Sequence, residues 1–356
     1  MRSEPRKRLR RDNSRVDGVN FILRDENAVR YECGFGCDNV IYIRLGSEAR
    51  LITDGRYAED AERKAHGVEV TVSSDILSTA VKILKKSGIS SCILDPREWD
   101  ISSYELLKKS GVRWIYEKDF SHRRRVIKSR EEIKYLSKAA KLGAKAFDEM
   151  SRLFECKGIG RDERYLAMLA EKALRKGGRY GLSFDPIVAI GPSSARPHAV
   201  PSDRKLKYGR LLLVDAGLRY RGYCSDRTRT VAVDRGFDFG YEQKFSSKRE
   251  KKIYDIVLEA HDRAIAGARS GMRASKIDAL ARKVIEKAGY GDLFLHSTGH
   301  GVGLDIHEMP YISPKSDTVV EDGMVFTIEP GIYIPGEFGV RIEDTIVMRD
   351  GRAEVL

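Results

Sequence analysis

Two pairs of carboxylates and a cluster of histidines carry the chemistry that this chain could perform. Leu211–Val214 is a short, fully apolar run ending in Asp215-Ala216-Gly217, and Asp226 stands just before the strand-like run Thr228–Val233. A hairpin turning at Tyr220-Arg221 would set Asp215 and Asp226 directly opposite each other, with Cβ atoms about 4.5–5.5 Å apart. Two such carboxylates repel unless a cation sits between them. The plain alternative is a pair of exposed turn aspartates. It is weakened at Asp215, which directly follows buried-type residues, where an unpaired charge is costly. The device recurs near the C-terminus. Val325–Ile328 leads into Glu329-Pro330-Gly331, Val340–Ile342 leads into Glu343-Asp344, and Gly336 lies midway in the turn-like segment Pro335–Gly339. Glu329 and Glu343 are therefore expected to face each other across a second hairpin.

Of the seven histidines, His296, His300 and His307 fall within twelve residues, around the run Gly299-His300-Gly301-Val302-Gly303. A surface loop that happens to hold histidines is the competing reading. Two Asp, two Glu and a histidine would form an oxygen-rich site suited to a pair of divalent ions. Two metals about 3.5–4 Å apart are an established hydrolytic arrangement. Mostly carboxylate ligands favour Mn²⁺, Co²⁺ or Fe²⁺ over the Cys/His surroundings of structural zinc. His307-Glu308 does not open a zinc-protease helix: Met309-Pro310 follows, and no histidine stands four residues beyond His307. Proline would break the helix that such a motif needs. Cys224, beside Asp226, reads as a packing residue rather than a nucleophile. With no G-x-G-x-x-G after a strand and no P-loop, a nucleotide site is not indicated.

The elements that must position these residues follow from hydrophobic period. Between Val19 and Phe120, short apolar runs alternate with amphipathic stretches. Asn39–Leu45 and Arg50–Thr53 read as neighbouring strands turning at Gly46-Ser47, Tyr57–Ala65 as a helix and Val68–Val72 as a strand. Ile76, Ala80, Ile83 and Leu84 keep helical spacing up to Gly88, and Ser91–Leu94 and Arg113–Tyr116 are further strands around Ser102–Lys109. This predicts an α/β domain over 19–121. The basic stretch 122–128 reads as the junction. Ser129 with Glu132 forms a capping-box signature for the helix that follows, whose buried side is marked by Ile133, Leu136, Ala140 and Phe147. A second helix over Arg161–Lys176 stops at Gly177-Gly178. The same pattern returns as Ile253–Ala268 and Lys276–Ala288. Each helix pair is followed by strands that carry acidic residues. Residues 129–356 thus read as a second domain with a weak internal duplication, and a site at the junction of its halves would draw ligands from both.

Bulk properties narrow the function classes. A length of 356 residues suits two domains, and 41% hydrophobic with 33% charged residues describes a soluble globular protein. No apolar run is long enough to span a membrane, and the basic N-terminus lacks the apolar stretch of a secretory signal. The five cysteines (Cys33, Cys37, Cys92, Cys156, Cys224) read as reduced thiols, so a cytoplasmic location is expected. The net charge of +12 raises nucleic-acid binding. However, Met1–Arg15 holds seven Lys/Arg against Glu4 and Asp12. This basic extension (1–18) is polar, lacks a hydrophobic period and is expected to be disordered. The remaining charge lies on lysine-rich helices without interleaved aromatics, so nucleic acid is not the expected partner.

The ordered motifs Asp215-Ala-Gly, Tyr223-Cys-Ser-Asp226-Arg-Thr-Arg-Thr, Gly299-His300-Gly-Val-Gly, His307-Glu308, Glu329-Pro-Gly and Arg341-Ile-Glu343-Asp-Thr resemble those of the Xaa-Pro peptidases. These are the prolidases and aminopeptidases P of the pita-bread dinuclear metallopeptidases. The resemblance runs from about Lys128 to the end, and in outline through the N-terminal domain. It implies a creatinase-like α/β N-terminal domain and an α+β pita-bread catalytic domain with a pseudo-twofold internal duplication. It also implies peptide substrates, a homodimer, and two divalent ions per subunit, Mn or Co before Fe or Zn. By the same match, Asp215, Asp226, His300, Glu329 and Glu343 hold the ions, with Asp226 and Glu343 shared between them. Glu329 would also carry a proton, His198 and His307 would assist catalysis, and His296, Tyr333 and Arg341 would line the substrate path. Arg341 would pair either with a substrate carboxylate or with a ligand glutamate. A methionine aminopeptidase would share the five ligands but usually lacks the extra α/β domain. Catalytically inactive and metal-free relatives lack some of the ligands, and here all five match.

Overall fold

The computed structural model describes residues 19–356, so the basic extension 1–18 lies outside the described residues. Contacts divide the chain into two compact units that meet between Arg125 and Val126.

The first unit runs β1 (Phe21–Leu23), α1 (Glu26–Cys33), β2 (Val40–Leu45), β3 (Glu48–Thr53), α2 (Ala58–Lys64) and β4 (Glu69–Val72). It continues with α3 (Ile76–Lys86), β5 (Ser91–Leu94), α4 (Ile101–Lys108), β6 (Arg113–Tyr116) and α5 (Phe120–Arg125). Its mixed sheet has the order β4-β3-β2-β1-β5-β6. One buried cluster centres on Tyr42, Leu51 and Phe21 and the other on Ile41, Ile52 and Leu84, so β2 and β3 bury alternate residues on opposite faces. Helix α1 is an element that the period-based reading passed over, although Asp25 caps its start by accepting from Ala28 N and Gly34 closes it at φ 81°. The stretch taken as a junction is helical over its first half. There Arg124 is held by Glu32 at 2.8 Å and its guanidinium lies 4.9 Å from the centroid of the Phe21 ring, so its charge is packed rather than left in a linker.

The second unit opens with α6 (Arg130–Leu153) and α7 (Glu163–Arg175). Then follow β7 (Gly181–Leu182), β8 (Ile187–Ile190), β9 (Leu211–Asp215), β10 (Leu218–Tyr220), β11 (Tyr223–Cys224) and β12 (Thr228–Ala232). A second helix pair, α8 (Lys248–Gly267) and α9 (Ala274–Lys287), leads to β13 (Gly299–Gly301), β14 (Glu308–Ile312) and β15 (Val325–Ile328). The chain ends with β16 (Gly331–Ile334), β17 (Phe338–Arg341), β18 (Asp344–Arg349) and β19 (Arg352–Val355). The principal sheets have the orders β12-β9-β8 and β14-β13-β15-β18-β19. Each half is a helix pair followed by an antiparallel sheet, the repeated order of the pita-bread fold. Each has its own core, one built on Phe147, Leu166 and Val214, the other on Val257, Ile277 and Phe326. None of the described helices is long and apolar enough to cross a membrane.

The two carboxylate hairpins are built alike. Strands β9 and β12 pair, and the chain between them forms a smaller pair, β10 with β11. Strands β15 and β18 pair, and the chain between them forms β16 with β17. In the first the ladder breaks just beyond Asp215, around Asp226, in the second around Glu329 and Glu343, and each resumes in the same register.

The capping box at the start of α6 is formed in full: Ser129 Oγ accepts from Glu132 N, and the Glu132 carboxylate accepts from Ser129 N. Replacing Ser129 by Ala should lower the stability of the second unit by about 1 kcal/mol, measured as a shift in the urea midpoint at unchanged slope.

Candidate metal centre

The first hairpin turns one position later than its sequence suggested. Asp215 pairs with Thr228, not with Asp226, because the tight turn falls on Arg221 and Gly222, at φ 54° and 91°. Glycine favours such left-handed backbone, and Gly222 was the signal for it. Moving a hairpin's centre by one position shifts its register by two residues. An even shift keeps Asp215 and Asp226 on one face. The second hairpin has the expected register, with Ile328 opposite Asp344 and Gly331 opposite Arg341. Glu329 and Glu343 occupy the facing positions between those pairs.

Asp215, Asp226, His300, Glu329 and Glu343 line one cleft of about 410 Å³, together with His198, His296, His307 and Arg341. Donor atoms of Asp226, His300 and Glu343 lie within 4.8 Å of one another. His300 Nδ1 lies 3.1 Å from the Gly301 carbonyl and donates to it, which leaves Nε2 as the acceptor nitrogen. That Nε2 stands 3.3 Å from Glu329 Oε1 and 3.6 Å from Asp226 Oδ2. Two threonines aim the glutamates. Thr228 Oγ1 donates to Glu343 Oε2 at 2.7 Å, and Thr327 Oγ1 donates to Glu329 Oε1 at 3.2 Å.

Arg341 is the cation among these carboxylates. Its Nη2 donates to Asp215 Oδ2 at 2.7 Å, Nη1 to Tyr333 Oη at 2.8 Å and Nε to Thr228 Oγ1 at 3.1 Å. Its protein partner is thus an aspartate rather than the glutamate considered from sequence. The expected substrate role of Tyr333 also needs correction. Its side chain is buried and does not line the cleft, and its hydroxyl meets His296 Nε2 at 2.8 Å as well as Arg341. Of the three residues expected on the substrate path, only His296 and Arg341 line it.

Sequence reasoning missed other parts of the wall, among them Phe184, Asp185, Ile187 and Tyr311. It also missed Lys128, whose Nζ donates to Glu308 Oε1 at 2.5 Å with both side chains buried. The glycines around His300 do not make room for substrate or metal. A Cβ on Gly299, Gly301 or Gly303 would run into the Thr327 carbonyl, the Met309 carbonyl or the Glu308 carboxylate. They let neighbouring strands close up around the histidine. Burial raises the Cys224 thiol to about 11, as suits a packed cysteine rather than a nucleophile.

Burial first, and the neighbouring carboxylates second, push Asp226 and Glu343 well above the usual carboxylate range. Burial raises Glu329 to about 8, with Asp215 adding to the rise against the pull of Arg341. Burial lowers His300. It also lowers His296 to about 3, helped by Arg341. Removal from water and the adjacent His300 ring lower His307 to about 4. The Oδ1 atom of Asp215 is buried without a hydrogen-bond partner. Crowded carboxylates, an orphaned oxygen and a bare imidazole nitrogen together suit divalent cations. For an acid raised in the folded state, stability is full below the unfolded value and is lost as pH rises through the folded one. Metal-free protein should therefore lose stability as pH rises from 4.5 to about 8, the ordinary and folded values for Glu329. Divalent ions should raise the melting temperature most at the upper end. Calorimetric scans with and without Mn²⁺ across that window check both, and a gain that shrinks as pH rises would contradict the assignment.

Residues 134–350 match the model of Metallopeptidase family M24. The chain is 42% identical to the Xaa-Pro dipeptidase of Pyrococcus horikoshii over 340 residues, 95% of this chain and 91% of that one. The structure is similar to that of an Xaa-Pro dipeptidase from Bacillus anthracis, with a TM-score of 0.87 at 37% identity, covering 96% and 94% of the two chains. An X-Pro aminopeptidase from Thermotoga maritima superposes with a TM-score of 0.84 at 33% identity, covering 96% of each chain. With the family model spanning more than half its length and a curated relative matched almost end to end, the chain belongs to Metallopeptidase family M24.

Proposed function

We propose that this peptidase hydrolyses the Xaa-Pro bond at the amino end of peptides or in dipeptides, using two divalent metal ions. The observation that carries the reading is the convergence of two carboxylate hairpins and His300 in one cleft. It agrees with the substrates named for the relatives. Asp215, Asp226, His300, Glu329 and Glu343 would hold the ions, with Asp226 and Glu343 shared, Asp215 completing one set and His300 with Glu329 the other. Four carboxylates against one imidazole favour Mn²⁺ or Co²⁺, with Fe²⁺ and Zn²⁺ as lesser candidates. When bound, such ions polarise a carbonyl and make water a better nucleophile.

The side chains of the cleft account for the rest. In the reaction, the oxygen of water bonds to the carbonyl carbon and the bond from that carbon to the proline nitrogen breaks. Glu329 takes the proton of the water and delivers it to the leaving imino nitrogen. A carboxylate that lines the cleft can act in turn as base and acid for such a proton. His307, held neutral near pH 7 by its lowered value of about 4, would donate a hydrogen bond to the oxygen that gains negative charge, and His198, which lines the same cleft, would assist it. Every nitrogen of Arg341 already donates within the protein, which favours a positioning role through Asp215 over capture of a substrate carboxylate.

Activity on an Xaa-Pro dipeptide should disappear with chelator and return with Mn²⁺ or Co²⁺; full activity of metal-free protein would overturn the reading. An Xaa-Pro-Yaa tripeptide compared with the dipeptide on Mn²⁺-loaded enzyme separates the two specificities. Cleavage of the dipeptide alone marks a prolidase, and cleavage of both an aminopeptidase P. Replacing Asp226 by Asn should abolish turnover, because a shared ligand is lost. It should also stabilise metal-free protein near pH 8 by about 1 kcal/mol or more, because a buried like charge is removed. Substantial residual turnover in that variant would rule out the shared-ligand role.

A further inference from the structure

Arg229 is 1% exposed and does not line the cleft, yet it grips the residue on which the metal reading most depends. It lies on β12 between Thr228 and Thr230. Strand alternation puts those two threonines on one face, where Thr228 Oγ1 meets Glu343 Oε2 at 2.7 Å and Thr230 Oγ1 donates to the Arg341 carbonyl at 2.9 Å. The arginine returns to the same segment by another route. Its Nη1 donates to the carbonyls of Thr228 and Glu343 at 2.9 and 2.5 Å, and its Nη2 to Asp344 Oδ1 and Tyr241 Oη at 2.8 and 2.9 Å. Glu343 N donates to the Thr228 carbonyl at 3.1 Å. Amide, carbonyl and carboxylate of Glu343 are thus all bound by two consecutive residues of the other half of the domain.

Burying a guanidinium is expensive, and an apolar side chain of similar volume usually serves stability as well or better. What an apolar residue cannot do is hold two carbonyls and a carboxylate at once. A planar fork of donors can, and the single ammonium of lysine cannot span the same set. Asp344 supplies the counter-charge, and the Tyr241 ring centroid lies 4.6 Å from the guanidinium carbon.

We propose that Arg229 is a positioning residue for the metal centre: by tying the Glu343 carbonyl to Thr228 it sets the distance between the Glu343 carboxylate and the Asp215–Asp226 hairpin, and through that distance the affinity for divalent ions. This rests on Glu343 being a metal ligand.

The test is titration calorimetry of wild type and Arg229→Lys with MnCl₂, at a temperature where circular dichroism finds both fully folded. The lysine keeps a positive charge, but its single nitrogen cannot serve the two carbonyls together with Asp344 and Tyr241, which the arginine holds through two nitrogens. It should bind Mn²⁺ about 10–100-fold more weakly, the usual effect of losing a group that orients a ligand, and turnover should recover when Mn²⁺ is raised. A residue that served folding alone would leave the affinity of folded protein unmoved. If Arg229→Lys fails to fold, the pair Arg229→Met with Asp344→Asn removes charge and counter-charge together, and the same weakening is expected. Wild-type affinity in either folded variant overturns the proposal while leaving the metal reading intact. A wild type that takes up no Mn²⁺ overturns both.

Discussion

The arrangement of the second unit is governed by an excess of buried negative charge. Five carboxylates, four of them on the two hairpins, share a cleft with one guanidinium. Asp226 and Glu343 are among the most buried acids of the described chain, at 8% and 2% exposure. Like charges taken out of water oppose their own ionisation, so the fold must hold them against a standing repulsion. Hydrogen bonds from Thr228 and Thr327, the ion pair of Arg341 with Asp215 and the neutral state of His300 each reduce that strain without removing it. Divalent cations would remove it. Affinity for metal and instability without it would therefore have the same cause.

The repeated hairpin is what makes such crowding feasible. A continuous antiparallel ladder would engage the backbone of the acidic residues in its own hydrogen bonds. Here one ladder breaks around Asp226 and the other around Glu329 and Glu343, and each resumes beyond the break. The freed backbone finds other partners instead: Glu343 N bonds across to the Thr228 carbonyl of the opposite half, and Glu329 N to the Thr298 carbonyl of its own half. The two halves are thus joined through the residues that would bind metal, and the spacing of the ligands depends on the join.

Much of this was legible in the sequence because it is local. The alternation of strands, the stop signals of helices and the capping box at Ser129 all lie within a few residues of what they determine, and the corresponding elements form. The centre of a hairpin is local as well, but Gly222 had to be weighed above the symmetry of the two aspartates. The five donors emerge from two hairpin registers and one glycine-flanked histidine. What was not legible depends on pairs far apart in the chain. Lys128 and Glu308 are 180 residues apart, and no spacing or period links them. Arg229 reads from sequence as one more polar residue of an alternating strand, and only the approach of Glu343 and Asp344 gives it a task. The glycines around His300 were conspicuous, but their reason, strands closing on one another, lies in residues that sequence does not set beside them.

The same crowding assigns the protons of the wall. Arg341 keeps its charge, pushed further above its ordinary value by the groups around it despite its burial, and its Nη1 donates to Tyr333 Oη. The tyrosine, raised to about 12 by burial, keeps its own proton and directs it to His296 Nε2. His296 therefore accepts on that nitrogen and donates from Nδ1 to the Ser297 carbonyl, 2.8 Å away. Both of its nitrogens are engaged, so it presents no free N–H to a bound peptide. His300 is engaged in the same sense, with Nδ1 on the Gly301 carbonyl and Nε2 turned to the carboxylates. Of the four histidines on the wall, His198 and His307 are the two that would have a ring N–H to offer a bound peptide. The orientation of His296 thus follows from where one arginine puts its hydrogen bonds, while that of His300 is set by the Gly301 carbonyl.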